Sequence, residues 1–198
     1  MSEESAPIVN IDGELVSLGP LRRDLIPLYL RWINDFGTTR TLSIQNRPMT
    51  LEEETAWFDS RASAGGEYAF TIYERSSGRP IGNCDLFKVD FRNRRGEVGL
   101  MIGEPEARGK GYGTEAMRLL LDFAFTALSL NSVMLQYFEF NPAARRCYEK
   151  AGFRESGRWR QSLWSGGRFW DQIFMDVLTA EFESPVLRSI LRPQPPRE

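Results

Sequence analysis

An α/β domain with a mixed, mostly antiparallel central sheet is predicted by three features of this 198-residue chain. Three strand-like runs separated by short polar turns follow one another over residues 68–103, the pattern of an antiparallel meander. The period then changes, and residues 114–128 place Met117, Leu120, Leu121, Phe123, Ala124 and Leu128 on or near one side of a helix. A glycine-rich loop joins meander to helix, and an apolar strand over 132–140 follows. Strand, helix and strand in that order form a right-handed crossover with the two strands parallel.

The elements read in order as follows. Residues 13–18 form a first strand after a turn at Asp12-Gly13. Over 24–34, Leu25, Leu28, Tyr29, Trp32 and Ile33 recur at helical spacing, with Pro27 in the first turn. A second helix spans 51–62, where Thr50 and Glu53 have the spacing of a capping box. The meander strands cover 68–74, 80–89 and 97–103. After the long helix and the 132–140 strand, residues 142–150 form a short helix ended by Gly152. Strands over 154–163 and 168–178 close the sheet around Ser165-Gly166-Gly167. The expected division is an N-terminal segment 1–12, one domain over 13–180, and a tail over 181–198, of which residues 192–198, with three prolines, suit a loose end.

Composition excludes several functions. Hydrophobic residues make up 41% of the chain, enough for a packed core. No apolar run approaches the ~18 residues that cross a bilayer, and residues 1–6 are too polar for a secretory signal. The expected protein is cytoplasmic, with no membrane partner. A net charge of −2 argues against a nucleic-acid partner. Cys84 and Cys147 read as free thiols. The chain has no histidine. That removes Ser-His-Asp and Cys-His hydrolysis and most zinc sites, so no metal is expected. Acid–base chemistry then falls to carboxylates, Tyr, Lys, Cys or water.

The loop Arg108-Gly109-Lys110-Gly111-Tyr112-Gly113-Thr114 opens the long helix. The first N–H groups of a helix lack intrahelical partners and lie at the positive end of its dipole. Glycines let an anion approach that backbone, and Arg108 and Lys110 add positive charge. The loop therefore suits a pyrophosphate. Its spacing is neither that of a Walker loop nor that of a dinucleotide fold: Gly111 follows Lys110 where a hydroxyl residue is needed, and Gly109, Gly111 and Gly113 alternate. On the loop alone, a tight strand–helix turn is the competing interpretation.

The spacing Arg108-x-x-Gly111-x-Gly113 resembles the coenzyme A loop of the GNAT superfamily of N-acetyltransferases. Further on, Asn141, the short helix, Tyr148 and Gly152-Phe153 resemble the second signature of that family. The likeness covers residues 13–178. Trp32-Ile33-Asn34-Asp35, Glu115-Ala116 and the run 166–171 look like its RimJ/RimL and spermidine acetyltransferase branch.

The resemblance implies a mixed sheet with helices on both faces and a β-α-β crossover that holds acetyl-CoA. It implies that the amides of residues 109–114 bind the diphosphate. Backbone groups at Met101 and Ile102 and the Asn141 side chain would hold the pantetheine arm, with Tyr148 protonating the leaving sulfur. Glu97 is the candidate base, with Glu139 as a second. Gln136 stands where some members carry Glu, and Asp35 is a candidate for an amine site. The implied acceptor is a small-molecule amine or a protein N-terminus, and homodimers are common in the family. The contrasting expectation is a CoA-binding sensor that does not turn over.

Overall fold

The computed structural model describes residues 7–42, 47–63 and 67–193. Residues 1–6 and the last five of the expected tail lie outside this set. The strands are β1 (Ile11–Asp12), β2 (Val16–Pro20), β3 (Tyr68–Glu74), β4 (Pro80–Asp90), β5 (Arg95–Ile102), β6 (Ser132–Phe138), β7 (Arg154–Ser165) and β8 (Arg168–Leu178). They form one sheet in the order β1-β2-β3-β4-β5-β6-β8-β7. All neighbours are antiparallel except β5 and β6, which are parallel as the crossover requires. The β7–β8 turn has Gly166 and Gly167 both at positive φ, the requirement of a two-residue hairpin.

The helices are α1 (Ile26–Asn34), α2 (Phe36–Thr39), α3 (Leu51–Ser63), α4 (Tyr112–Asp122), α5 (Pro142–Ala151) and α6 (Leu187–Leu191). They cover both faces of the sheet. On one side Ala116, Met117, Leu120 and Leu121 of α4, with Tyr148 and Ala151 of α5, pack into the main core. On the other, Ile26, Tyr29 and Trp32 of α1 and Phe58 of α3 form a second cluster, with Met101 of β5 against it. The capping box of α3 is present in both directions, Thr50 N–H to Glu53 at 2.9 Å and Glu53 N–H to Thr50 at 3.2 Å.

Three boundaries differ from expectation. Residues 1–12 are not all outside the domain, because Ile11 is buried in the core and β1 pairs with β2. The long helix begins at Tyr112 and changes to a π-turn over Phe123–Ala127. The first part of the expected tail, residues 182–187, is docked on the domain. The fully buried Asp122 carboxylate accepts from Ser184 Oγ at 2.6 Å, Val186 N–H at 2.9 Å, Leu187 N–H at 2.8 Å and Thr126 Oγ1 at 2.7 Å. Phe182 packs on Phe125, ring centroids 5.3 Å apart. Asp122→Ala would leave these donors buried without an acceptor. It is expected to cost about 3 kcal/mol in urea unfolding; a change below about 0.5 kcal/mol would show that the docked segment carries no stability.

Candidate active site

The site grows from a break in the sheet. Strands β5 and β6 pair only at Arg95–Ser132, Gly96–Val133 and Glu97–Met134. The ladder stops there, although β5 continues to Ile102 and β6 to Phe138. A wedge therefore opens between two strands whose other edges remain paired, β5 with β4 and β6 with β8. Gly103 N–H donates to Ile81 O, so alternation along β5 turns the backbone groups of Met101 toward β4 and those of Leu100 and Ile102 toward the wedge. Of the two strand-end residues expected to touch a ligand through the backbone, Ile102 has that orientation. Met101 is turned the other way, and its side chain joins the α1–α3 cluster.

At the mouth of the wedge stands the glycine loop. Gly109 and Gly111 take φ of 75° and 89°, left-handed values at which residues with a side chain are strained. Gly111 caps α4 without any side-chain hydrogen bond. Among the described residues, nothing accepts from the six consecutive N–H groups of Gly109 through Thr114. The first helical donation runs from Glu115 N–H to Gly111 O. Gly109, Lys110 and Gly111 are exposed, so these donors face solvent. An array of free amides on a helix dipole is an anion site.

The side chains around the loop hold it in place. Tyr112 Oη donates to Glu74 at 2.7 Å. Glu115 accepts from the N–H groups of Glu14, Leu15 and Val16 at 2.7–2.9 Å, fixing the first turn of α4 to β2. The Arg108 guanidinium folds back to Ile102 O at 3.1 Å and Thr38 Oγ1 at 2.7 Å, so it clasps the strand end. Lys110 remains exposed on the loop.

The far wall is α5 with the end of β6. Asn141 Oδ1 caps α5 by accepting from Ala144 N–H at 3.1 Å, which leaves its Nδ2 free to donate. Gly152, at φ 110°, ends the helix, and Phe153 N–H bonds Tyr148 O at 3.0 Å. The Tyr148 ring lies edge-on between Tyr137 and Phe153, with centroids 6.0 and 6.1 Å away. Burial pushes its phenol well above the ordinary tyrosine value, and neighbouring Cys147 and Tyr137 add to the rise. A Cβ placed on Gly113 would lie 3.3 Å from Leu100 and 3.5 Å from Cys147 Sγ, so α4, α5 and β5 converge on the wedge.

The carboxylates sort themselves by partner. Glu97 is the last residue in the β5–β6 ladder, at the apex of the wedge, and both its oxygens contact Lys88 Nζ at 3.0–3.1 Å. Glu139 accepts from Asp171 N–H at 3.0 Å and lies 3.4 Å from Arg158, tying β6 to β8, which disfavours it as a base. Asp35 caps α2, accepting from Thr38 Oγ1 and from Gly37 N–H at 2.9 Å, and these bonds lower its pKa. Both of its carboxylate oxygens are engaged in this cap. Gln136 is exposed on β6. Sequence reasoning missed two acidic groups on the α1–α3 side. Glu54 is 5% exposed, and burial raises its pKa to about 7. Asp85 stands opposite Gly99 on β4. Among the described residues, no group of histidine, cysteine or carboxylate side chains could hold a metal ion.

The family model described as an acetyltransferase (GNAT) domain matches residues 16–154. The chain belongs to this family. A spermidine N(1)-acetyltransferase of Vibrio cholerae is 26% identical over 156 residues, covering 77% of this chain and 89% of that protein. The alpha/beta-tubulin-N-acetyltransferase 9 of Homo sapiens is 28% identical over 155 residues, covering 72% and 74%. The solved structure of spermidine N-acetyltransferase from Vibrio cholerae, in complex with CoA and spermine, superposes with a TM-score of 0.78. It shares 23% identity and covers 85% of this chain and 98% of that one. The GNAT protein described here is an acetyl-CoA-dependent N-acetyltransferase, and its free amides and open wedge fit the diphosphate and arm of that co-substrate.

Proposed function

We propose that this enzyme acetylates a cationic primary amine, with the loop, the wedge and α5 dividing the work. The supporting observation is the run of six unpartnered amides beside an unzipped parallel strand pair. The amides of Gly109–Thr114, with Lys110, hold the diphosphate. Leu100, Ile102 and the Asn141 amide nitrogen hold the pantetheine arm, and Tyr148 faces the sulfur. Acetyl-CoA supplies the activated acyl group. The ammonium first releases a proton to solvent, so that a neutral amine attacks. As its nitrogen bonds to the acyl carbon and the carbon–sulfur bond breaks, Tyr148 gives its proton to sulfur, the nitrogen loses a second proton to a base, and the phenolate regains one from solvent. Glu97 stands at the apex of the wedge, beside Lys88, and is the candidate for the role of base. Proximity of the two bound substrates contributes the largest share of the rate.

The acceptor class rests on charge and on the relatives. Glu54, Asp85 and Glu97 are carried by the elements on the side of the sheet away from α4, which favours a cation there. The named relatives act on spermidine in one case and on tubulin in another, so a polyamine and a protein amine are the two leading acceptors. We assign the chain to the spermidine and RimJ/RimL-like branch, place it in a reducing cytoplasm on the strength of its free thiols, and read residues 11–191 as one catalytic unit. Mass spectrometry of mixed amines incubated with acetyl-CoA, including spermidine and peptides with free N-termini, tests this reading. One or more acetylated products are expected. Binding of CoA with no product from any amine would favour the non-catalytic sensor.

A further inference from the structure

We propose that Asp85, overhanging Gly99 where β5 parts from β6, receives the acceptor's ammonium group and sets a preference for cationic amines. This rests on the amine-acetylating reading above. Asp85 pairs across β4–β5 with Gly99, the first residue on its face of β5 beyond the apex at Glu97. A Cβ built on Gly99 would stand 2.6 Å from Asp85 Oδ1, so the carboxylate fills the space that a side chain on β5 would take. Met101, two residues on, faces the α1–α3 cluster, whereas Leu100 and Ile102 face the α4 side. The loop amides and Tyr148 belong to that α4 side. A second substrate therefore reaches the wedge from the opposite face, where Asp85 stands.

The carboxylate is poorly satisfied. Arg61 is its nearest cation, yet that guanidinium is hydrogen-bonded to Glu67 and only comes within 3.9 Å of Asp85 Oδ2. Among the described residues, no donor bonds either oxygen of Asp85. Burial is the main cause pushing its pKa up, Arg61 opposes the rise and Glu67 reinforces it. The side chain is 25% exposed, enough for a ligand to reach it. Next on the same face, Asn83 has both amide atoms removed from water with no partner. Buried polar groups left open in this way are costly unless something fills them. A primary ammonium brings three donors and a positive charge, the complement of a carboxylate beside an amide oxygen. Glu97, by contrast, already has its lysine.

The test is calorimetric titration of the protein–CoA complex with spermidine and with a short peptide bearing a free N-terminus. Wild type is expected to bind at least one probe, and Asp85→Asn to bind it about 30-fold more weakly. Asp85→Glu should recover part of the loss, while CoA affinity stays within about twofold in both variants. Gly99→Ala supplies a second route, because its methyl group would displace Asp85 Oδ1 and weaken the probe in the same way. In turnover, Asp85→Asn should raise KM for the amine far more than it lowers kcat. A hydrazide, uncharged near neutral pH, should lose much less. Equal probe affinity in wild type and Asp85→Asn would overturn the assignment, as would failure of wild type to bind either probe. A wild type that binds amine yet forms no acetylated product would overturn the transferase reading alone and leave Asp85 as the ammonium site.

Discussion

Tyr148→Phe is expected to lower kcat about 100-fold while KM for acetyl-CoA stays within about twofold. The prediction follows from what the substitution leaves intact. Phenylalanine fills the same room between Tyr137 and Phe153, so no cavity opens in α5 or β6. The proposed grip on the diphosphate lies on another element, at the start of α4. What is lost is one proton donor. Burial holds the phenol protonated above its ordinary range, so in the proposed role it would be a donor throughout neutral and mildly alkaline solution. Donation to a thiolate whose parent thiol titrates near ~8.5 is uphill from such a phenol, so the proton moves only as the carbon–sulfur bond yields. Steady-state kinetics across pH would check this. Equal kcat for variant and wild type at every pH would take the role away from Tyr148.

Gly111→Val is expected to weaken CoA binding at least about 100-fold, read by calorimetry. The backbone at residue 111 has φ 89°, where a β-branched side chain is strained by about 1–3 kcal/mol. The new Cβ would also stand 3.5 Å from Leu15 Cδ1, so the added methyl groups meet the Leu15 side chain just before β2. Relief of that strain rotates the peptide units on either side of residue 111, and those units carry the free N–H groups. Gly109→Ala should lose less, because space around that position is open although its φ is 75°. CoA affinity unchanged in a folded Gly111→Val protein would mean that the diphosphate lies elsewhere.

Local chemistry was legible in the chain, and distant partnerships were not. The capping box at Thr50 and Glu53, the hairpin at Gly166-Gly167 and the stop at Gly152 each depend on residues a few positions apart, and each is present. The free amides at 109–114 were legible for the same reason, since alternating glycines at a helix start fix the local backbone. The bond from Arg108 to Thr38 was not legible because the two lie 70 residues apart, with Thr38 on a short helix that has no clear periodic signal. Asp85 was overlooked because nothing near it in sequence marks it. Its significance comes from a glycine on the neighbouring strand. The docking of residues 182–191 was hidden likewise, since Asp122 looks like one more polar residue on an amphipathic helix until its acceptor role is seen.

A strand pair that unzips in mid-sheet leaves interior main-chain groups of Leu100 and Ile102 on one side, and of the end of β6 on the other, with no rung between them. The pantetheine arm carries two amide linkages of its own and can stand in as the absent rung. Deuterium uptake should therefore slow on both lips of the seam when CoA is added, and stay unchanged along the β7–β8 hairpin, which already has its partners. On this view the enzyme's sheet is complete only while it is loaded, and each round of product release reopens it.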